Sequence, residues 1–128
     1  MKKWIVFISV LLSACAGSPA HITSLSDSDL ATQKPADLCN AFAHTKSNRL
    51  KYELNNRQLF TANEWILINN KRVRVGMSEL AVICARGYPT KINNTVTEQG
   101  AVKQYIYRGY SKSQYIYISK GKVTAFQG

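Results

Sequence analysis

From Thr90 to Gln127 the chain repeats with period two. Ile92, Asn94 and Val96 alternate with Lys91, Asn93 and Thr95, and Glu98-Gln99-Gly100 then marks a turn. Val102 to Arg108 runs back, Gly109 to Ser113 turns, Gln114 to Ser119 alternates again, Lys120-Gly121 turns tightly, and Lys122 to Gln127 ends the series. Short alternating runs bounded by glycine-bearing turns predict antiparallel hairpins of three or four strands. Upstream the period is helical. Leu38, Cys39, Phe42 and Ala43 share one face over roughly Pro35 to Lys46, with proline at the first helical position, where its missing N–H costs nothing. Ser47 can cap a second, mostly polar helix carrying Leu50 and Leu54, which suits a cover over the core. Thr61-Ala62-Asn63-Glu64 has capping-box spacing and opens a third helix over Ala62 to Asn69. Ser78 can cap a fourth with Leu80, Ala81, Ile83 and Cys84 inside, stopped by Gly87 and forced extended at Tyr88-Pro89. Helices first and a meander after predict an α+β fold, with short N-terminal helices packed on a 3-4 stranded antiparallel sheet. Between the two parts, Lys71-Arg72-Val73-Arg74-Val75 alternates charge and valine. It reads as a short extended edge piece with a solvated side, in preference to a basic recognition patch.

The first residues read differently. Lys2 and Lys3 precede an apolar run from Trp4 to Leu12, broken only by Ser9, and Leu12-Ser13-Ala14-Cys15 closes it. The run is shorter than the ~20 apolar residues that span a bilayer, so residues 1–14 have the form of a secretory signal peptide. Leu-Ser-Ala-Cys resembles the lipobox of bacterial lipoprotein precursors. That resemblance implies cleavage before Cys15 and a covalent lipid on its sulfur. Alanine at position 16, where aspartate would retain such a protein at the inner membrane, implies the outer membrane. Residues 15–34 are small and polar with no sustained apolar period. They read as a flexible tether spanning ~25 Å as a coil, leaving residues 35–128 as a single domain.

Export changes what the charge means. The formal net charge is +10, and loss of Lys2 and Lys3 leaves 10 − 2 = +8. Excess positive charge favours anionic partners. An exported chain meets anionic phospholipid headgroups or an acidic protein face rather than nucleic acid, and a basic surface serving only solubility remains the alternative. Export also sets the redox setting of Cys39 and Cys84. They are either bridged, closing a loop of about 46 residues, or buried separately as small hydrophobes.

Candidate chemistry is sparse. No cysteine–histidine spacing resembles a metal site, and the covalent lipid on Cys15 is the only added group expected. His21 falls in the tether, and His44 has no acidic residue three or four positions away. Of the seven carboxylates, Asp37 and Glu79 are the pair that could meet, though Glu79 suits the first turn of its helix better. Phosphate-loop and nucleophile-elbow patterns are missing from the sequence, so no enzymatic activity is expected. The period-two runs instead place Tyr105, Tyr107, Tyr115 and Tyr117 on what reads as one tyrosine ladder, with Lys103 and Lys122 at matching parity. Tyrosine suits a surface partly packed and partly wet, which makes this the candidate interaction face. Cover by the helices, or simple cross-strand pairing, is the competing account.

Gly76-Met77-Ser78-Glu79, Gly87-Tyr88-Pro89, Tyr105-Ile106-Tyr107 and Lys120-Gly121-Lys122-Val123 together resemble the SmpA/OmlA (BamE-like) family of small outer-membrane lipoproteins. The likeness covers residues 75–127. Two departures accompany it: Tyr105 stands where that family often has tryptophan, and Pro35 to Asn70 is an added helical segment. The resemblance implies a lipid-anchored, non-catalytic binding or scaffold module at the outer membrane, its domain facing the periplasm, with an envelope protein or anionic phospholipid as partner. The alternative expectation is an inhibitor or exclusion lipoprotein of the phage or plasmid type, which blocks a partner protein.

Overall fold

Helix ends in this chain are chemically marked, and the computed structural model, which describes residues 17–128, follows those marks. The signal peptide (1–14) and the lipidation at Cys15 that the sequence leads one to expect fall outside the described residues. Helix α3 (Pro35–Thr45) starts on proline and ends at Lys46 in the left-handed conformation. Ser47, Thr61 and Ser78 each accept a hydrogen bond from the backbone N–H three residues on, opening α4 (Asn48–Asn56), α5 (Ala62–Asn69) and α6 (Glu79–Arg86). At Thr61 the box is reciprocal, since the Glu64 side chain accepts from the Thr61 N–H. Gly87, with φ 79°, stops α6 and sends the chain toward the sheet.

Strands β1 (Lys91–Thr97), β2 (Gly100–Arg108), β3 (Ser113–Ser119) and β4 (Lys122–Gln127) form one antiparallel sheet in the order β1-β2-β3-β4. The fold is α+β, as expected, with helices on one face of a four-stranded meander. Its core joins Leu38 and Phe42 of α3, Leu50 and Leu54 of α4, Ala81 and Val82 of α6, and Tyr105, Ile116, Ile118 and Val123 of the sheet. Cys39 and Cys84 are bonded to each other at the centre of this core, so the bridged reading holds and the separate-thiol reading falls.

The tether reading fails for the described part of residues 15–34. Pro19–Ser24 forms helix α1 and Asp27–Ala31 forms helix α2. Ile22 is 0% exposed and Leu30 2%, both inside the core cluster. These helices are too short to hold themselves, and Arg49 of α4 and Arg57, which caps it, secure them. Arg49 donates to the carbonyls of Thr23 (3.2 Å) and Leu25 and to the Asp27 carboxylate (2.8 Å). Arg57 donates to the carbonyls of Gln33 (2.8 Å), Leu30 (3.2 Å) and Ala31 (3.1 Å). Carbonyls at helix C-termini lack intrahelical partners, and guanidinium groups supply them here. The polar composition of α4 thus fastens the N-terminal segment to the core.

The edge-piece reading of Lys71–Val75 fails as well. No strand forms there. The chain instead crosses from α5 to α6 and touches β4 just past this stretch. Gly76 N–H donates to Val123 O (2.8 Å), Val123 N–H to Met77 O (2.8 Å), and Glu79 N–H to Gly121 O (2.9 Å).

Candidate functional site

The four tyrosines do not form one ladder. Tyr105 lies opposite Ile116, and Tyr117 opposite Gln104. Residues directly opposite in an antiparallel pair share a face, so Tyr105 and Tyr107 belong with Ile116 and Ile118, while Tyr115 and Tyr117 belong with Ile106 and Gln104. The first set faces the helices and the second faces away from them. The two lysines separate similarly: Lys103 lies opposite Ile118 and Lys122 opposite Ser119.

On the helix side the tyrosines are structural. Tyr105 is 3% exposed, and its hydroxyl donates to Glu79 Oε1, which also receives Lys103 Nζ at 3.0 Å. Tyr107 OH donates to Gly87 O (2.8 Å), and the Arg86 guanidinium sits 5.4 Å from its ring centre. Burial, reinforced at Tyr105 by the Glu79 carboxylate, pushes both phenols well above the ordinary tyrosine range. Tyr88 is pushed up to about 12 by burial and by its bond to Asp37 (2.7 Å). Asp37 and Glu79, the carboxylates that could have met, thus serve different phenols. On the far face Asn93 donates to Gln104 (3.0 Å) and Gln104 to Tyr117 OH (3.1 Å), a polar ladder across three strands.

Two acids tie the helix starts to the rest. Burial raises the Glu64 carboxyl, but the Ser78 N–H (2.9 Å), the Thr61 N–H (3.3 Å) and the Lys122 charge outweigh it and hold it below its ordinary 4.5. At Glu79 burial is likewise outweighed, by Tyr105 and Lys103. A carboxyl depressed in the fold contributes stability above its unfolded pKa and loses it as pH falls through the folded one. Urea midpoints should therefore hold steady from about pH 7 to about pH 5 and drop below about pH 4.5. A Glu64→Gln/Glu79→Gln variant should start lower at neutral pH and fall less on acidification, and a slope equal to the parent's would contradict these assignments.

The surface opens beside the α5–α6 connection. A groove of about 620 Å³ runs between Lys71–Val75 on one side and the end of β4 on the other. Phe126, 51% exposed, and Val75, 64% exposed, contribute apolar surface, and buried Ile116 also borders the groove. Lys71, Arg72, Arg74 and Arg86 line it, and no acidic side chain does. Arg86 donates to Gln114 Oε1 and Lys71 Nζ to Ala43 O (3.1 Å), so both bond to neutral groups. Arg72 and Arg74 are exposed, and neither side chain has a hydrogen-bond or ion-pair partner among the described residues. Both also border a second recess of about 350 Å³ beside Ile66 and Leu67. The basic run is plain in the sequence, where its alternation with valine suggests a strand edge. The remote partners Arg86, Gln114 and Phe126 carry no local signal, since only the fold brings them to Lys71–Val75.

Among the described residues no group of three or more His, Cys, Asp or Glu side chains could hold a metal, and no helix is long and apolar enough to cross a membrane. No family model, curated protein or solved structure matches this chain.

Proposed function

We propose that the chain is a lipid-anchored lipoprotein of the outer membrane, facing the periplasm, and that it acts as a non-catalytic binding module for an envelope partner. The observation that carries the binding role is the groove beside Lys71–Val75, where, among the described residues, exposed Arg72 and Arg74 have no hydrogen-bond or ion-pair partner and no acidic side chain lines the walls. Exposed guanidinium groups beside exposed Phe126 and Val75 give an anionic, partly apolar ligand a place to sit. The lipobox ending in Cys15 and the likeness of residues 75–127 to SmpA/OmlA lipoproteins support the location.

The packed α1 changes how such an anchor would work. Only Ala16 separates Cys15 from Gly17, and a Cβ on Gly17 would lie 3.5 Å from the Asp37 carboxylate. At under ~4 Å per residue, the domain is held at the bilayer surface rather than hung well below it.

The test is crosslinking in intact envelopes followed by affinity purification under denaturing conditions. Wild-type chain should fractionate with membranes and recover an envelope protein. Arg72→Glu/Arg74→Glu should lose most of that product while staying membrane-bound, and Cys15→Ser should be released from membranes. Equal recovery with the charge-reversed variant would sink the groove as the binding surface, and unchanged fractionation of Cys15→Ser would sink the anchor.

A further inference from the structure

The connection into α6 pairs with β4 and then leaves it. Bonds of Gly76, Met77 and Glu79 reach Val123 at the start of β4 and Gly121 in the turn just before it. Beyond Val123 the outer edge of β4, Thr124–Gln127, has no backbone partner among the described residues. Past that fork the segment Arg72–Val75 stands away from β4, and the groove occupies the gap. An unpaired strand edge is a template for another strand, and native edges of this kind are usually protected by covering them. Here the cover begins and then opens.

We propose that this gap receives an extended acidic segment of a partner protein, which adds to the sheet as a fifth strand along Thr124–Gln127. The proposal rests on the binding-module reading and names its partner class. Strand addition draws affinity from main-chain hydrogen bonds and specificity from alternate side chains. Both are provided for. The free edge supplies N–H and C=O groups, Phe126 and Val75 offer apolar contact for one set of side chains, and Arg72 and Arg74 offer bidentate partners for carboxylates. A phospholipid headgroup would satisfy the arginines but would leave the strand edge unused.

The probe is a fluorescein-labelled peptide of about seven residues, alternating valine and glutamate, titrated into the full chain purified from membranes in neutral detergent. Saturable binding is expected, about tenfold weaker or worse with Arg72→Glu/Arg74→Glu. A strand turns the N–H groups of alternate residues toward its neighbour. Of two peptides N-methylated on the two alternate sets of residues, one should therefore lose binding and the other keep it. Amide exchange in Thr124–Gln127 should slow in the complex. Equal binding of both methylated peptides, equal binding of a valine–lysine peptide, or displacement of the probe by phosphatidylglycerol added as mixed micelles in the same detergent would each overturn the proposal. If the acidic peptide fails to bind while envelope crosslinking still depends on Arg72 and Arg74, strand addition falls and the binding module stands. If the peptide binds as expected and no envelope protein is recovered, the strand site stands and the envelope role falls.

Discussion

Opening the Cys39–Cys84 bridge is expected to lower the free energy of unfolding by about 4 kcal/mol. The two cysteines are 45 residues apart, so the bond closes a long loop that the unfolded chain would otherwise explore. Loop-closure entropy grows only with the logarithm of loop length, but at this length it is already large against the total stability of a small domain. The bond also joins α3 directly to α6, both lying in the core cluster. For a domain of this size about 4 kcal/mol corresponds to a melting midpoint lower by about 15 °C. Circular dichroism melts with and without a thiol reductant measure it. A Cys39→Ala/Cys84→Ala variant should melt near the reduced wild type and be indifferent to reductant. A wild-type midpoint that does not respond to full reduction would show that the covalent link contributes nothing.

The boundaries of α4, α5 and α6 were legible because each rests on local chemistry. Ser47, Thr61 and Ser78 accept hydrogen bonds three residues along, and Gly87 takes a positive φ, all within one turn of where the sequence places them. The faces of the strands were less accessible. Alternation within β2 and within β3 is plain, but whether Tyr105 shares a face with Tyr115 or with Ile116 depends on register. Register is set across the Gly109–Lys112 turn, where Gly109 N–H donates to Lys112 O. A shift of one residue exchanges the two faces of a strand, and loop length alone does not fix it. A signal did exist. In β3, Ile116 and Ile118 form the more apolar side, and Val123 follows them in β4. In β2, Ile106 stands alone between Gln104 and Arg108, whereas Tyr105 and Tyr107 are consecutive on their side. Matching the most apolar side of each strand, rather than matching residue type, places Tyr105 and Tyr107 inside with the isoleucines. The groove was out of reach for another reason. Lys71–Val75 is visible in the sequence, but Arg86, Gln114 and Phe126 reach it only through tertiary packing.

The N-terminal segment gives the second large effect. Ile22→Ala is expected to cost about 3 kcal/mol, within the range for truncating a fully buried aliphatic side chain. Ile22 is 0% exposed and packs in the same cluster as Leu38 and Leu54. A tether would make the same substitution neutral, so urea unfolding of the variant separates the two readings directly. The segment looked like a tether because its helices are only six and five residues long, too brief to show an apolar period. Their signals are instead Ser18 ahead of Pro19, and Ser26 ahead of Asp27 and Asp29, with Ser18 and Ser26 each capping an N–H three residues on. Arg49 and Arg57 close the other ends, so the segment is bonded to the core at its carbonyls as well as packed through Ile22 and Leu30. Proteolysis should register the same change. Cleavage within Pro19–Ala31 should be slow in the wild type and accelerate in Ile22→Ala well before the rest of the domain opens, because a short peripheral unit that loses one of its two buried anchors, Ile22 and Leu30, opens locally first. Rapid cleavage of this segment in the wild type, with an unfolding free energy unaffected by Ile22→Ala, would return residues 17–34 to the role of a linker. It would also remove the argument that the domain sits against the membrane.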